Sequence, residues 1–390
     1  MGIKNLTVIL NKKCQLAINT RKLDEYSKIF ELDDNSYKIK FGIDLSIFLY
    51  KFLYNNNDHI EGLTRLILRL LKNHITPIFV FDGKPPKEKN ETIQLRKDKR
   101  NFLVVKKNIN LHVINTKGTL NYDDFKNKIN EYIDNENISF IIDDEEIKNL
   151  FEKSKEELYS ENEKLSKKII YVTQQHIESS KELFDLFGIK YIHAPCEAES
   201  LLAMLCKNNY IDGCISEDTD ILANGGHLFL RNFNADKNEV EEYCLQGILD
   251  SLEITHEQFI DMCILCGCDY TEKINGMGPI TAHKLIVKYK TLEEILINNK
   301  KFIIPDNFDY VKARELFKYP ISQELFDSID KNIIFNIPQI DKLKVFLKNT
   351  SLKERFFNEI DKNLMNYYLN IEGMNINNST KKKKITDYYH

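Results

Sequence analysis

At 390 residues, 42% of them hydrophobic, the chain can bury a large core, and no apolar run in it is long enough to span a bilayer. The opening MGIKNLTVIL lacks the basic region, long apolar core and cleavage site of a signal peptide, and the eight cysteines have no regular framework spacing, so an intracellular, reducing setting is expected rather than secretion. The net charge of -4 argues neither for nor against nucleic-acid binding, because the distribution of charge decides it.

The first predicted strand, about Tyr37 to Ile43, ends at Asp44 and leads into a helix, LSIFLYKFLY. After a polar turn, NNNDH, the segment GLTRLILRLLKNH carries Leu and Ile at the spacing of a helix with one buried face. The strand ITPIFVFD then reaches Asp82, and the adjacent prolines of GKPPKEK take the chain out of the sheet, since proline cannot extend the ladder. From about Glu88 to Ile170 the composition turns to Lys, Glu, Asp and Asn with modest apolar periodicity, which predicts a solvated helical excursion. Its entry carries Lys84, Lys87, Lys89, Arg96, Lys97, Lys99 and Arg100, and its exit Lys164, Lys167 and Lys168, cations able to flank a phosphate backbone.

IIYVTQQHIESSKELFDLFG reads as a helix ending at Gly188, followed by a strand, IKYIHA. Glu197 and Glu199 then open an apolar helix, SLLAMLCK, and Asp218 and Asp220 close a short strand, YIDGCIS. A Gly-Gly turn and an edge strand, HLFLRNF, come next, and the run IDMCILCGCD ends at Asp269. Cys263, Cys266 and Cys268 read as buried thiols, because no second cluster completes a zinc site. In INGMGPITAHKLIVKY, GMGP before an apolar helix matches a helix-hairpin-helix, whose glycines let backbone N–H groups approach phosphate oxygens. The remainder is helical to about Leu369, and IEGMNINNST reads as a linker.

Asp44 and Asp82 close separate apolar strands, and in an open parallel sheet ligands bind beyond the carboxyl ends of the strands. Two carboxylates about 4 Å apart repel by roughly 4 kcal/mol at a near-surface dielectric, so acids gathered there need a divalent cation or protons. Oxygen donors favour magnesium or manganese over zinc. The pattern predicts a cleft holding two metal ions about 3.5 to 4 Å apart, suited to hydrolysis of phosphoryl esters.

The pieces MGIKNL, FGIDLS, FVFDGKPP, VTQQH, PCEAES, SEDTDIL, CGCDY, GMGPITA and VKARELF occur in one order, and in combination they resemble the flap endonuclease family of structure-specific 5' nucleases, related to the XPG nucleases. The resemblance implies an α/β fold: a central, mostly parallel sheet flanked by helices, in the PIN-like manner, with an inserted helical arch and a helix-hairpin-helix element. It implies an N-terminal nuclease region at 1–100, a charged arch at 101–170, an internal nuclease region at 171–369 and a flexible tail at 370–390. The implied metal ligands are Asp44, Asp82, Glu197, Glu199, Asp218, Asp220 and Asp269, with Asp220 counted as catalytic beside Lys89 and Arg96, the basic pair that steers the scissile phosphate. Gly2 would be the processed N-terminus near the active site, Tyr50 a base-stacking aromatic, and Lys167 and Lys168 a basic face at the far end of the arch. Gly276 and Gly278 would hold duplex backbone together with a monovalent cation.

In the tail, KKKKITDYYH, Ile385, Tyr388 and Tyr389 resemble a motif that docks on the sliding clamp, with Lys382 where Gln is usual. The implied activity is a 5' flap endonuclease with 5'-3' exonuclease action in replication and repair, using two Mg2+ per site with Mn2+ able to substitute. Its partner would be branched DNA, 5' flaps and nicks, and the protein a monomer in the nucleus or another site of DNA replication. His74, His176 and His193 read as structural. The excursion is longer than that family's arch and acidic in its middle, the Tyr54–Leu63 connection is shorter, and ELDDNSYK is an added stretch. Two rivals stand beside this reading: a haloacid-dehalogenase-like phosphatase using Asp218 as nucleophile, and a catalytically inactive, clamp-bound DNA scaffold.

Overall fold

A seven-stranded sheet organises the larger part of the chain: β1 (Ile18–Lys22), β2 (Ile39–Asp44), β3 (Ile75–Phe81), β4 (Tyr191–His193), β5 (Gly213–Ile215), β6 (Leu228–Asn234) and β7 (Glu239–Cys244). The computed structural model describes residues 2–29, 39–56, 58–116, 118, 120–135, 143–234, 237–298, 301–332, 336–348, 350, 352–354, 356–361 and 364. ELDDNSYK, the linker and the clamp-like tail with Ile385, Tyr388 and Tyr389 lie outside these residues. The chain divides into two compact units, Met1–Lys89 with Val172–His390, and Asn90–Tyr171.

The strand order is β1-β7-β6-β5-β2-β3-β4, with β6, β5, β2, β3 and β4 mutually parallel, β7 antiparallel to β6, and β1 antiparallel to β7 at the edge. From β2 the chain winds to β3 and β4 on one side, and from β5 to β6 on the other. The order therefore reverses between β2 and β5, which is where an open α/β sheet presents a ligand crevice.

Side chains alternate across the parallel strands. In β3, Phe79 and Phe81 enter one core, where Phe79 stacks on Phe184 at 4.1 Å between ring centroids, while Ile78 and Val80 enter the other. Helices Leu45–Asn56, His59–Lys72 and Gln174–Phe187 contribute to the first core, and Leu6–Lys13, Ala198–Lys207, His256–Cys266 and Pro279–Tyr289 to the second. Both faces are thus covered, which is why the strands carry near-continuous apolar runs. Arg314, in the segment VKARELF, ties the helical end together by donating to Asp261 at 2.7 and 3.0 Å and to Glu293 at 2.8 and 3.2 Å.

Two local expectations change. HLFLRNF is not an edge strand: β7 and β1 lie outside it. These covering strands read as polar in sequence because their charges are satisfied in pairs, as where buried Glu242 accepts from Arg21 at 3.0 and 3.1 Å and from Tyr26 Oη at 2.6 Å. The helix that ends at Gly188 starts at Gln174 rather than near Ile169, because the Thr173 side chain caps its N-terminus and accepts from His176 N–H. Gly188 closes it in the left-handed conformation at φ 70°.

The second unit holds helices Asn90–Thr116, Tyr122–Asn135, Asp144–Glu152 and Lys155–Lys168. The change of composition from about Glu88 to Ile170 coincides with it. It packs its own small core from Ile109, Val113, Phe125, Ile129, Ile147 and Leu158. Part of its charge is internally paired, with Lys153 Nζ 2.8 Å from Glu161 and Lys106 Nζ 3.6 Å from the same residue.

Candidate metal centre

The switch point between β2 and β5 collects acids from separate parts of the chain. Asp44 is the last residue of β2, Asp82 follows β3, Glu197 caps the helix that follows β4 and Glu199 sits in its first turn, and Asp218 and Asp220 follow β5. Asp269 arrives differently. The apolar run before it is a helix, His256–Cys266, broken at Gly267, so Asp269 comes from a loop after a helix end rather than from a strand.

Lys89 shows how closely these groups meet. Its Nζ lies 2.6 Å from Glu197, 3.2 Å from Glu199, 3.9 Å from Asp220 and 4.0 Å from Asp269, with the side chain almost fully buried. Tyr270 supports it from beneath, with its ring centroid 5.1 Å from Lys89 Nζ and its hydroxyl donating to Glu197 Oε2 at 3.2 Å. On the other side of the cluster, Asp82 Oδ1 accepts from Ala198 N–H at 2.8 Å, at the start of the helix Ala198–Lys207.

Carboxylate oxygens of Glu199, Asp218 and Asp220 lie within 4.8 Å of one another, the one group of this kind among the described residues. Asp220 is fully buried, and neither of its carboxylate oxygens has a hydrogen-bond partner. Orphaned buried oxygens beside other carboxylates fit a hard divalent cation, and the donor set contains neither the thiolates nor the imidazoles that zinc prefers. Cys263, Cys266 and Cys268 are free, buried thiols, with burial pushing Cys266 and Cys268 up to about 12.

The electrostatics agree with the geometry. Burial, then the charges of Asp82 and Asp218, push Asp44 up to about 8, against the hydrogen bond from Ser216. Burial likewise raises Glu199 and Asp220 well above the carboxylate range, with Glu197 and Asp218 adding to it. Burial alone would depress the Lys89 ammonium, but Glu199, Asp220 and Glu197 more than offset it and hold it charged. Lys89 offsets part of the repulsion among these acids, and the negative charge that remains calls for a divalent cation or protons.

Gly2 also reaches the centre. It adopts φ 78°, and a Cβ there would collide with the carboxylates of Asp218 and Asp220 and with Thr219 Oγ1. Ile3 N–H donates to Thr219 Oγ1 at 3.0 Å, which seats the N-terminal segment on the acid loop. Glu217, inside the same SEDTD string, turns elsewhere and pairs with Lys51 at 3.3 Å and Arg231 at 3.5 Å.

Tyr50 is exposed on Leu45–Asn56, and Gly276, at φ 77°, and Gly278 precede the helix Pro279–Tyr289, with Gly278 as its N-cap. Arg96 is exposed on the helix Asn90–Thr116 and Lys167 and Lys168 on the last turn of Lys155–Lys168, all in the second unit. Of the histidines, His176 caps its own helix, with Thr173 N–H donating to Nδ1 at 3.1 Å. Ser216 and Tyr270 were not singled out from sequence, although both stand inside strings that were: a hydroxyl at a strand end, and an aromatic directly after an acid.

Two XPG family models match the chain, the XPG N-terminal domain over residues 1–102 and the XPG I-region over residues 188–269. Flap endonuclease 1 of Aedes aegypti is 32% identical over 340 residues, which cover 82% of this chain and 75% of that protein. Flap endonuclease 1 of Entamoeba histolytica is 32% identical over 378 residues, covering 92% and 85%. Among solved structures, the catalytic core of Rad2 in complex with a DNA substrate matches with a TM-score of 0.62 at 23% identity, over 94% of this chain and 100% of that one. Flap endonuclease-1 from Methanococcus jannaschii matches with a TM-score of 0.57 at 23% identity, over 91% and 97%. These two structural likenesses bear on the fold.

Proposed function

The chain belongs to the flap endonuclease and XPG family of structure-specific nucleases, and from that premise we propose that it cuts branched DNA at the junction of single and double strand, chiefly by removing 5' flaps. The observation that carries this reading is the convergence of acids from four strand ends and one helix end on the switch point, with Lys89 among them.

Asp44, Asp82, Glu197, Glu199, Asp218, Asp220 and Asp269 would hold two Mg2+ ions, with Mn2+ able to replace them. Bound there, such ions supply Lewis-acid polarisation of the phosphodiester and a lowered pKa for the attacking water, so no Ser, Cys or His nucleophile is needed. Lys89 keeps its charge and is the chain's own donor to a phosphate that accumulates negative charge in the transition state. Tyr270 holds Glu197 through its hydroxyl and the Lys89 ammonium over its ring.

On the family resemblance we assign steering of the scissile phosphate to Arg96 together with Lys89, phosphate-backbone contacts to Lys167 and Lys168, base stacking to exposed Tyr50, and duplex backbone with a monovalent cation to Gly276 and Gly278. Backbone contacts of this kind read shape rather than base sequence. The same resemblance supports 5'-3' exonuclease action, clamp docking through Ile385, Tyr388 and Tyr389, a monomeric state and a place at sites of DNA replication.

Cleavage of 5'-flap, nicked, bubble and four-way-junction DNA, run side by side with Mg2+ and with EDTA, tests the reading. Metal-dependent incision at the flap junction is expected, and incision independent of metal or confined to small phosphomonoesters overturns it.

A further inference from the structure

We propose that Ser216 is a positioning residue for the metal-binding acids, an inference that rests on the metal-dependent reading above. β2 and β5 pair in parallel, with Phe41, Gly42 and Ile43 opposite Gly213, Cys214 and Ile215. The next residues, Asp44 at the end of β2 and Ser216 just past β5, therefore stand side by side at the switch point. That adjacency is used: Ser216 Oγ donates to Asp44 Oδ2 at 2.9 Å.

The same oxygen accepts from Asp218 N–H at 3.0 Å. A hydroxyl has one proton to give, and with one lone pair taken by the Asp218 amide that proton is directed at Asp44. Asp218 Oδ1 in turn accepts from Asp220 N–H at 3.0 Å. Three hydrogen bonds thus run in series from the backbone of Asp220 through the side chain of Asp218 and its own amide to Ser216 and on to Asp44. One hydroxyl links an acid on β2 to the loop that carries two others, although 172 positions separate Ser216 from Asp44.

Ser216 is 1% exposed, so water has no ready access to replace it. The other oxygen of Asp44 accepts a longer bond, 3.4 Å, from Ile47 N–H. Ser216 therefore holds the carboxylate by one oxygen and leaves the second less engaged. Groups that orient metal-binding carboxylates in this way are worth about 10- to 100-fold in metal affinity when removed.

The test is Mn2+ binding to the intact chain without DNA, followed by calorimetry and by the electron paramagnetic resonance of free Mn2+. Ser216→Ala should bind about 10- to 100-fold more weakly, with cleavage recovered as Mn2+ is raised. Ser216→Thr and Ser216→Val have nearly the same volume but only threonine keeps the hydroxyl, so Thr should bind nearly as wild type and Val like Ala. Equal Mn2+ affinity in the Thr and Val variants would overturn the role of the hydroxyl alone. Failure of the wild-type chain to bind Mn2+ would overturn the metal reading together with it.

Discussion

Lys89 Nζ stands 2.6 Å from Glu197 Oε1, and the bond joins the residue just before the charged helical unit to the N-cap of the helix that follows β4. This ammonium offsets part of the repulsion within the acid cluster, and the proposed function makes it a donor to the phosphate.

Lys89→Ala should slow single-turnover cleavage by about 100- to 1000-fold, the usual loss for one preorganised donor to transition-state charge. Flap binding, followed by fluorescence anisotropy, should fall far less. Equal losses in rate and binding would reduce Lys89 to a DNA-holding residue. In EDTA the variant should also melt earlier than wild type, since it leaves Glu197, Glu199 and Asp220 without their buried counter-ion.

Asp220→Ala should abolish cleavage and leave flap binding largely intact. Its effect on stability runs the other way from that of Lys89→Ala. Both carboxylate oxygens are buried without hydrogen bonds, so removing them should stabilise the fold in EDTA by on the order of 1–3 kcal/mol, read as a higher melting temperature. The stabilisation that Mg2+ gives wild type should be lost in the variant. Retained turnover would contradict the metal role.

The pH dependence has a definite sign. Burial, with Asp82 and Asp218, lifts Asp44 from 3.8 to about 8, and burial raises Glu197, Glu199 and Asp220 in the same direction. Between those two values the native state holds more protons than the unfolded chain, so the contribution of Asp44 to stability in EDTA, fully present below pH 3.8, is lost as pH rises through about 8. A divalent cation must displace these protons, so Mn2+ affinity should climb over the same interval with proton release. Calorimetry in two buffers of different ionisation enthalpy measures that release, and a pH-independent affinity would sink the assignment.

Gly2→Ala should weaken Mn2+ binding without unfolding the chain. The left-handed backbone at φ 78° disfavours any side chain by about 1–2 kcal/mol, and the added methyl must displace Asp218 or Asp220. Wild-type Mn2+ affinity in this variant would show that the N-terminal segment can move off the acid loop at no cost to the centre.

Much of this architecture is legible in local strings. FGID, IFVFD and GCISED each join an apolar strand to an acid, and Gly188 declares the end of its helix. Other features carry no such signature. β1 and β7 look like surface segments until Arg21 is seen to pair with Glu242, 221 positions away. Nor does SEDTD reveal that Glu217 faces Lys51 and Arg231 while Asp218 and Asp220 face the cluster.

By itself, then, the amino-acid sequence determined the acids, the strands that deliver them, and the charged helical excursion that follows Lys89, because each is written in hydrophobic pattern and residue chemistry over a few neighbouring positions. Only the tertiary structure decided that Asp44 and Ser216 stand side by side, that Asp220 is fully buried and that Lys89 lies among four carboxylates. Those relations come from the pairing register of β2 with β5 and from the turns beyond the strands. Register is settled by how distant segments pack together, and no local period records it.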